Sequence, residues 1–495
     1  MSFIESYDML KQLKNYFLIS IILLAIGCSG KLNYKDFSKD VTCFPDYQNT
    51  SIPSNIAPLN FIIRDTAQQY KVVLKGSLGK EISVKSDDGR IIFPVSKWKA
   101  LLKENRGKEI VFEFYLKQKG EWLKYNSARN FVAAEDIDPY LVYRLIEPGY
   151  ETWNKMGIYQ RNLENFDETP VMINEMSDGN CMNCHSFCKN SSDRMLFHMR
   201  AQNGGTYILT DGKVSKVDTK TDSTLSAGVY PAWHPGGRFV AFSVNRIVQS
   251  FHAIEKRKIE VIDTLSDLMI YDTKLNKVLT SASIASPARY ETFPVWSPDG
   301  SSLYFCSAGF QNYRNFEDIK YDLLKINFDT AAVKFGATDT VIAAARNGYS
   351  VSFPRISPDG KTLMFCKTAY GNFTIWHDDS DIYALDLATS RMYMPEINSN
   401  RSESYHNWSS SCRWMVFSSR RIDGLYTRPY FTYIDKEGKA HKPFLLPQKD
   451  PDFYMDFVKS YNVPELVKAK VDLDPRKLEK IVKTEAVKSS FERIF

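Results

Sequence analysis

The hydrophobic pattern is dominated by a strand–turn–strand unit that recurs. Tyr230-Pro-Ala-Trp-His-Pro-Gly-Gly-Arg-Phe-Val-Ala-Phe242 is echoed by Phe293-Pro-Val-Trp-Ser-Pro-Asp-Gly-Ser-Ser-Leu-Tyr-Phe305 and Phe353-Pro-Arg-Ile-Ser-Pro-Asp-Gly-Lys-Thr-Leu-Met-Phe365. A decayed copy is Tyr405-His-Asn-Trp-Ser-Ser-Ser-Cys-Arg-Trp-Met-Val-Phe417, and the four starts fall 63, 60 and 52 residues apart. Each unit reads as a strand, a tight Pro-Asp-Gly turn and a second strand of alternating apolar residues. A further strand follows later, as in Ser266-Asp-Leu-Met-Ile-Tyr and Ser380-Asp-Ile-Tyr-Ala-Leu. A fifth, degenerate unit emerges when the closing Phe is placed on Phe197. Ser186 then takes the Pro position, Cys188 the Trp position, and His198 the place of Ser243, Cys306, Cys366 and Ser418.

Ahead of the repeats, Tyr70–Leu74, Glu81–Ser86, Ile110–Leu116 and Trp122–Val132 alternate as strands, with Asp87-Asp-Gly89 and Gly120 at turns. Ser96 to Glu104 reads as a short helix capped by Ser96. These elements predict a small β-sandwich-like domain over 52–135. Residues 136–205 read as an aromatic-rich connection leading into the first blade, with Tyr140, Tyr143, Tyr150, Trp153, Tyr159 and Phe166 as junction core. A C-terminal extension over 446–495 ends in a helix opened by Asp474 and Pro475, with Leu478, Ile481, Val482 and Ala486 as its apolar stripe.

The repeats resemble the TolB-like, WD-repeat-like β-propeller family, through the unit aromatic-Pro-x-Trp-Ser-Pro-Asp-Gly followed by four residues and Phe. The likeness covers about 186–445 and implies an all-β fold with six blades. Four units are plain and one is degenerate, so a sixth blade must come from the Asp136–Phe166 segment or the C-terminal region.

Within the degenerate unit lies Asp178-Gly-Asn-Cys181-Met-Asn-Cys184-His185-Ser-Phe-Cys188, a complete C-x-x-C-H. Two thiols one short turn apart form thioethers to the vinyl groups of one haem, and the adjacent imidazole reaches its iron. With 8 Cys and 7 His in 495 residues, chance yields the pattern on the order of 0.002 times per chain. A zinc site on Cys181, Cys184, His185 and Cys188 is cramped, since structural zinc sites usually join two separated ligand pairs. A thioredoxin-like dithiol needs a βαβ context that is missing, and plain cysteine chemistry is the remaining alternative. Haem c is therefore the expected cofactor, tethered by Cys181 and Cys184, with His185 as the proximal iron ligand. His198 is the expected distal ligand and Met199 its alternative, with Met182 and Met195 more remote; alternation lets only one of His198 and Met199 face the iron.

The N-terminus supplies a setting. Asn15 to Gly27 is an apolar run preceded by Lys11 and Lys14. About 13 helical residues cover roughly 20 Å of a hydrocarbon core about 30 Å thick, so a secretory signal fits better than a span. Leu24-Ala-Ile-Gly27-Cys28 resembles a bacterial lipobox, which implies cleavage after residue 27, lipid on Cys28, a tether over 28–51 and a place in the cell envelope. Glu5 and Asp8 sit badly in such a leader, and a start at Met9 removes them. A formal charge of +6 is too dilute in a chain of this size to point to nucleic acid. The expected partners are a redox protein or another envelope protein, and the membrane through the lipid.

The remaining candidates are weaker. His234, His377 and His406 fall near blade loops, His377 to Asp381 reads as a solvated acidic turn before a cation site, and Cys306 and Cys366 read as equivalent core residues. No nucleophile elbow or phosphate loop occurs. The expectation is an exported electron-transfer propeller. The alternatives are a binding or scaffold propeller with structural cysteines and a haem-dependent redox enzyme.

Overall fold

The computed structural model describes residues 32–147, 155–252 and 259–494; the leader, Cys28, Tyr150 and Trp153 lie outside them. The described chain is all-β with a few short helices. The repeating units form six sheets, five of them built from consecutive strands running outward from the axis. Blade 2 comprises Met182–Phe187, Arg194–Met199, Gly205–Thr210 and Lys213–Asp218. Blade 3 comprises Val229–Trp233, Phe239–Phe251, Ile259–Asp272 and Lys277–Thr280. Blades 4, 5 and 6 begin at Arg289–Trp296, Ser350–Ile356 and Glu403–Trp408.

Blade 1 joins the two halves of the sequence. Its outer strands are Tyr140–Ile146, Met156–Asn162 and Glu168–Ile173, and its innermost strand is Ser460–Val467 from near the C-terminus. Both expected sources of the sixth blade are therefore used at once. Tyr140–Ile146, Met156–Asn162 and Glu168–Ile173 are blade rather than connection, so the propeller starts at Tyr140 and not at 186. The six innermost strands touch in cyclic order and close the ring. Closure by main-chain pairing of Leu141 with Leu466 and Leu145 with Tyr461 ties residues more than 300 positions apart. Beyond helix Pro475–Val482, whose Asp474 accepts from the N–H of Arg476, two short strands continue the chain. Val487–Lys488 adds parallel to the outer edge of blade 2 and Ser490–Arg493 to that of blade 3.

The N-terminal domain is a seven-stranded sheet, a three-stranded sheet and the helix Val95–Glu104 packed on one apolar core. The segment expected to be a tether belongs to it: Tyr34–Asp36 pairs with Trp122–Lys124, and Val41 and Tyr47 are buried. Pro94, not Ser96, precedes the helix, and no side chain caps it. The predicted Trp122–Val132 strand is two, Glu121–Lys124 and Ala128–Val132. The domain is held to the propeller by Ser51 Oγ with His441 Nδ1 at 2.7 Å and by the Arg90–Asp452 ion pair. Among the described residues no helix is long and apolar enough to cross a membrane.

Candidate functional site

Each innermost strand carries one residue with left-handed backbone where its pairing register slips. These are Val463, Cys184, Tyr230, Phe293, Phe353 and Tyr405 in blades 1 to 6, with φ between 48° and 53°. For residues other than Gly such φ is uncommon, and its sixfold repetition marks a built-in bulge. The bulge turns these side chains to the axis. Four aromatic rings converge there, with centroids 4.4 Å apart for Tyr230–Phe293, 4.2 Å for Phe293–Phe353 and 4.8 Å for Phe353–Tyr405. Cys184 and Val463 complete the circle with small side chains, so the plug is thinnest at blades 1 and 2.

This register corrects the alignment read from the sequence. Asn183 pairs with His198 and Phe187 with Met195, as Thr292 pairs with Cys306 and Trp296 with Leu303. Cys184 thus holds the aromatic position, His185 the Pro position and Phe187 the Trp position, one residue earlier than expected. The hairpin of blade 2 is one residue longer, with Lys189 and Asn190 both left-handed. The extra residue lets Asn190 reach past blade 1. Its amide donates to the carbonyls of Leu466, in blade 1, at 2.8 Å and of Trp408, in blade 6, at 2.9 Å, so one side chain links three blades.

Cys181 and Cys184 are buried thiols joined to no other cysteine. Burial is the largest influence on both and pushes their pKa values up; Arg144 and Arg200 pull both down. Arg144, in blade 1, donates to the carbonyl of Met182 at 3.1 Å and to Asn183 Oδ1. The N–H of Arg200 donates to the carbonyl of Cys181 at 2.9 Å.

His185 is turned the other way, into the wall between blades 1 and 2. The ring lies against the backbone of Val142 and Val463, neither nitrogen reaches hydrogen-bond geometry, and Nε2 lies 3.7 Å from Glu465 Oε1. Burial, helped by Arg144, lowers the imidazole pKa to about 3. Glu465 is pushed up to about 8 by burial, against the pull of Arg355. The pair is therefore a neutral imidazole facing a protonated carboxyl at neutral pH. Thiols and imidazole do not converge on one point.

His198 stands on the opposite face of blade 2. Its register equivalents point at the next blade, as Ser243 does by accepting from the N–H of Phe293 at 3.1 Å. His198 Nδ1 meets Thr206 Oγ1 at 3.3 Å, and burial lowers its pKa to about 4. His185 and His198 thus flank the sheet from opposite sides and cannot share one iron. Met199, Met182 and Met195 lie on the blade 1 side, packed with Val142, Ile158 and Met172. The apolar wall beside His185 is unusually rich in sulfur, and Met156 Sδ accepts from the N–H of Met182 at 3.3 Å.

Three histidines expected near loop surfaces are buried. His234 Nε2 meets the Gly300 carbonyl at 3.1 Å, and His377 Nε2 meets Glu260 Oε2 at 3.0 Å. His406 Nδ1 lies 3.9 Å from Cys366 Sγ. Among the described residues no group of three or more His, Cys, Asp or Glu is placed to hold a metal ion. Cys306 and Cys366 are buried core residues as expected. Sequence reasoning missed Arg144 and Glu465. The signal for Glu465 was present, since Asn462-Val463-Pro464 repeats the residue-before-Pro pattern of the other blades.

No family model matches the chain, and no curated protein matches it. Solved structures similar to it include β-propellers. The β-propeller domain of the Trilobed protease from Pyrococcus furiosus is 11% identical, covering 68% of this chain and 95% of that one, with TM-score 0.32. The Dos1 propeller is 13% identical, covering 55% and 66%, with TM-score 0.32. A chain of the Nidogen/Laminin complex is 8% identical, covering 67% and 100%, with TM-score 0.37. At these identities the likeness concerns fold alone.

Proposed function

We propose that this chain is an exported, lipid-anchored propeller that carries one covalent haem c for one-electron transfer with a protein of the cell envelope. The observation that carries the reading is the donor set of the C-x-x-C-H: two buried, unlinked thiols with shared arginine neighbours, followed directly in the chain by a buried imidazole that burial keeps neutral. A neutral imidazole is the form that ligates a metal. The residues fit the group by donor chemistry. Cys181 and Cys184 would tether it and His185 would bind its iron. Met199, which stands on the His185 side of blade 2, would be the better placed of the two expected second ligands. When bound, the haem supplies a one-electron couple whose potential depends on axial ligands and burial. Glu465 stands 3.7 Å from the imidazole on the closing strand, Arg144 sets the charge beside the thiols, and the methionine wall is apolar.

A second reading is favoured by His406. It holds the same register position in blade 6, is equally buried and has an unpartnered Nε2, without any neighbouring cysteine pair. The fold therefore accepts an imidazole there for packing alone, as a binding or scaffold propeller would require. Intact mass measurement of the chain matured in a host that attaches c-type haem separates the two. A mass increase of one haem, absent in Cys181→Ala/Cys184→Ala, supports the first, and an unchanged mass in a host that matures a control cytochrome supports the second.

A further inference from the structure

Charge is divided unevenly between the two domains. Residues 32–135 hold 17 Lys and Arg against 12 Asp and Glu, whereas residues 136–495 hold 44 of each. An excess that is dilute along the whole chain is thus gathered on the domain that the N-terminus enters.

Much of it lies on one face of the seven-stranded sheet. Ile110, Phe112, Phe114 and Leu116 turn inward to the core, as do Val72 and Leu74 on the neighbouring strand. Alternation therefore puts Lys71, Lys75 and Lys117 on the outer face, and Lys85 joins them directly opposite Lys71. Glu113 answers Lys75 and Lys124, and Glu109 answers Arg129. Lys71, Lys85 and Lys117 are left without an ion pair among the described residues; Lys71 lies over the Tyr115 ring, 5.9 Å from its centroid. Like charges directly opposite each other in a strand pair are destabilising, so the Lys71–Lys85 pair is a cost that an outside anion would relieve. A groove of about 610 Å3 opens on the same face, with Lys75, Lys108, Glu113 and Arg129 in its lining.

Aromatic rings stand where the chain enters. Tyr34 pairs with Trp122, its ring meets that of Tyr115 edge-on at 5.2 Å, and Lys124 lies 5.5 Å from its centroid. Tyr34 is 41% exposed and Trp122 is half-buried. Amphipathic rings beside lysines are the groups that the surface of an anionic membrane favours. Six residues lead from Cys28 to Tyr34, a reach of at most about 20 Å. A lipid on Cys28 therefore holds this domain, and not the neutral propeller, at the bilayer.

We propose that the outer sheet face docks on an anionic phospholipid bilayer, with Lys71, Lys85 and Lys117 on the headgroup phosphates and Tyr34 and Trp122 at the interface. The placement of the face rests on the lipid anchor of the proposed function; its affinity for lipid is measured without that anchor.

The chain expressed without residues 1–27 and carrying Cys28→Ser, which cannot be acylated, is sedimented with vesicles of phosphatidylcholine and phosphatidylglycerol in equal parts and with vesicles of phosphatidylcholine alone. It binds the anionic vesicles, leaves the neutral ones unbound and is released by high salt. Lys71→Gln/Lys85→Gln weakens binding by about tenfold or more. Lys97→Gln/Lys103→Gln removes the same charge from the helix on the core side of the sheet and changes binding little. No binding to the anionic vesicles, or equal binding to both kinds, overturns the proposal. An equal loss in the two double variants also overturns it, because net charge and not a face would then be the cause. A wild-type mass without acyl groups, read on the membrane-extracted chain, overturns the anchor alone, and vesicle binding by the Cys28→Ser chain upholds the face all the same.

Discussion

His185 and His406 hold the same register position in blades 2 and 6, each one residue after the left-handed residue of its innermost strand. Both imidazoles are buried, and burial lowers both pKa values to about 3. What differs is the preceding residue: a thiol, Cys184, in blade 2 and an aromatic plug member, Tyr405, in blade 6. Truncating either to Ala leaves a cavity and costs about 2–3 kcal/mol in chemical denaturation. Only His185→Ala alters the visible spectrum of the haem-loaded chain. Equal spectral effects from the two variants would reduce His185 to a packing residue.

Asn190 links blade 2 to blades 1 and 6. Its amide serves two buried carbonyls on blades 1 and 6, and its own backbone is left-handed with φ of 59°. Asn190→Ala removes both bonds and places an alanine where Asn is better tolerated. The expected loss is about 2–3 kcal/mol in a urea titration, whereas Asn190→Gly, which relieves the backbone but not the carbonyls, loses less.

Much of the ring and little of the site were legible in the sequence. The repeats at Tyr230, Phe293 and Phe353 show because a bulge followed by Pro needs the same residues each time. Blade 1 was invisible as a unit because its innermost strand, Ser460–Val467, is separated from the other three by the whole ring. The His198 assignment failed for a different reason. Pairing the closing Phe fixed His198 in register, but only the neighbouring blades decide which sheet face each side chain meets. The one-residue slip of Cys184 and His185 came from the longer hairpin, which sequence spacing alone cannot assign to a turn or to a strand.

Stability should fall on both sides of mildly acidic pH. His185, His406 and His198 have pKa values well below 6.5 in the folded chain, so the unfolded chain takes up protons first and stability is lost as pH drops below 6.5. Glu465 and Glu291 are raised from 4.5 to about 8 by burial, so their contribution is complete below 4.5 and erodes as pH rises to 8. Between 4.5 and 6.5 the two sets oppose each other; from 6.5 to 8 only the carboxyls act. The denaturant midpoint is expected to drop from pH 6.5 to 8 and to stay flat in Glu465→Gln/Glu291→Gln. A drop of the same size in the double variant contradicts this assignment.

The turn between the first two strands of blade 4 is locked to blade 3 through His234. A Cβ on Gly300 would lie 2.2 Å from His234 Nε2, and the residue has φ of +78°. Gly360, its equivalent in blade 5 with φ of +73°, has nothing nearer than 3.9 Å. Both Ala variants bear the left-handed cost of about 1–2 kcal/mol, but Gly300→Ala adds an overpacking cost of about 1–3 kcal/mol. Thermal unfolding should rank Gly300→Ala below Gly360→Ala, and the reverse order would show that His234 is free to move.

The central claim rests on covalent haem at Cys181 and Cys184. The chain matured where c-type haem is attached, then denatured in alkaline pyridine and reduced, should show the α-band of a thioether-linked haem, and Cys181→Ala/Cys184→Ala should show none. A spectrum without that band, from cells that mature a control cytochrome, would contradict the electron-transfer account and leave a binding propeller with buried structural cysteines.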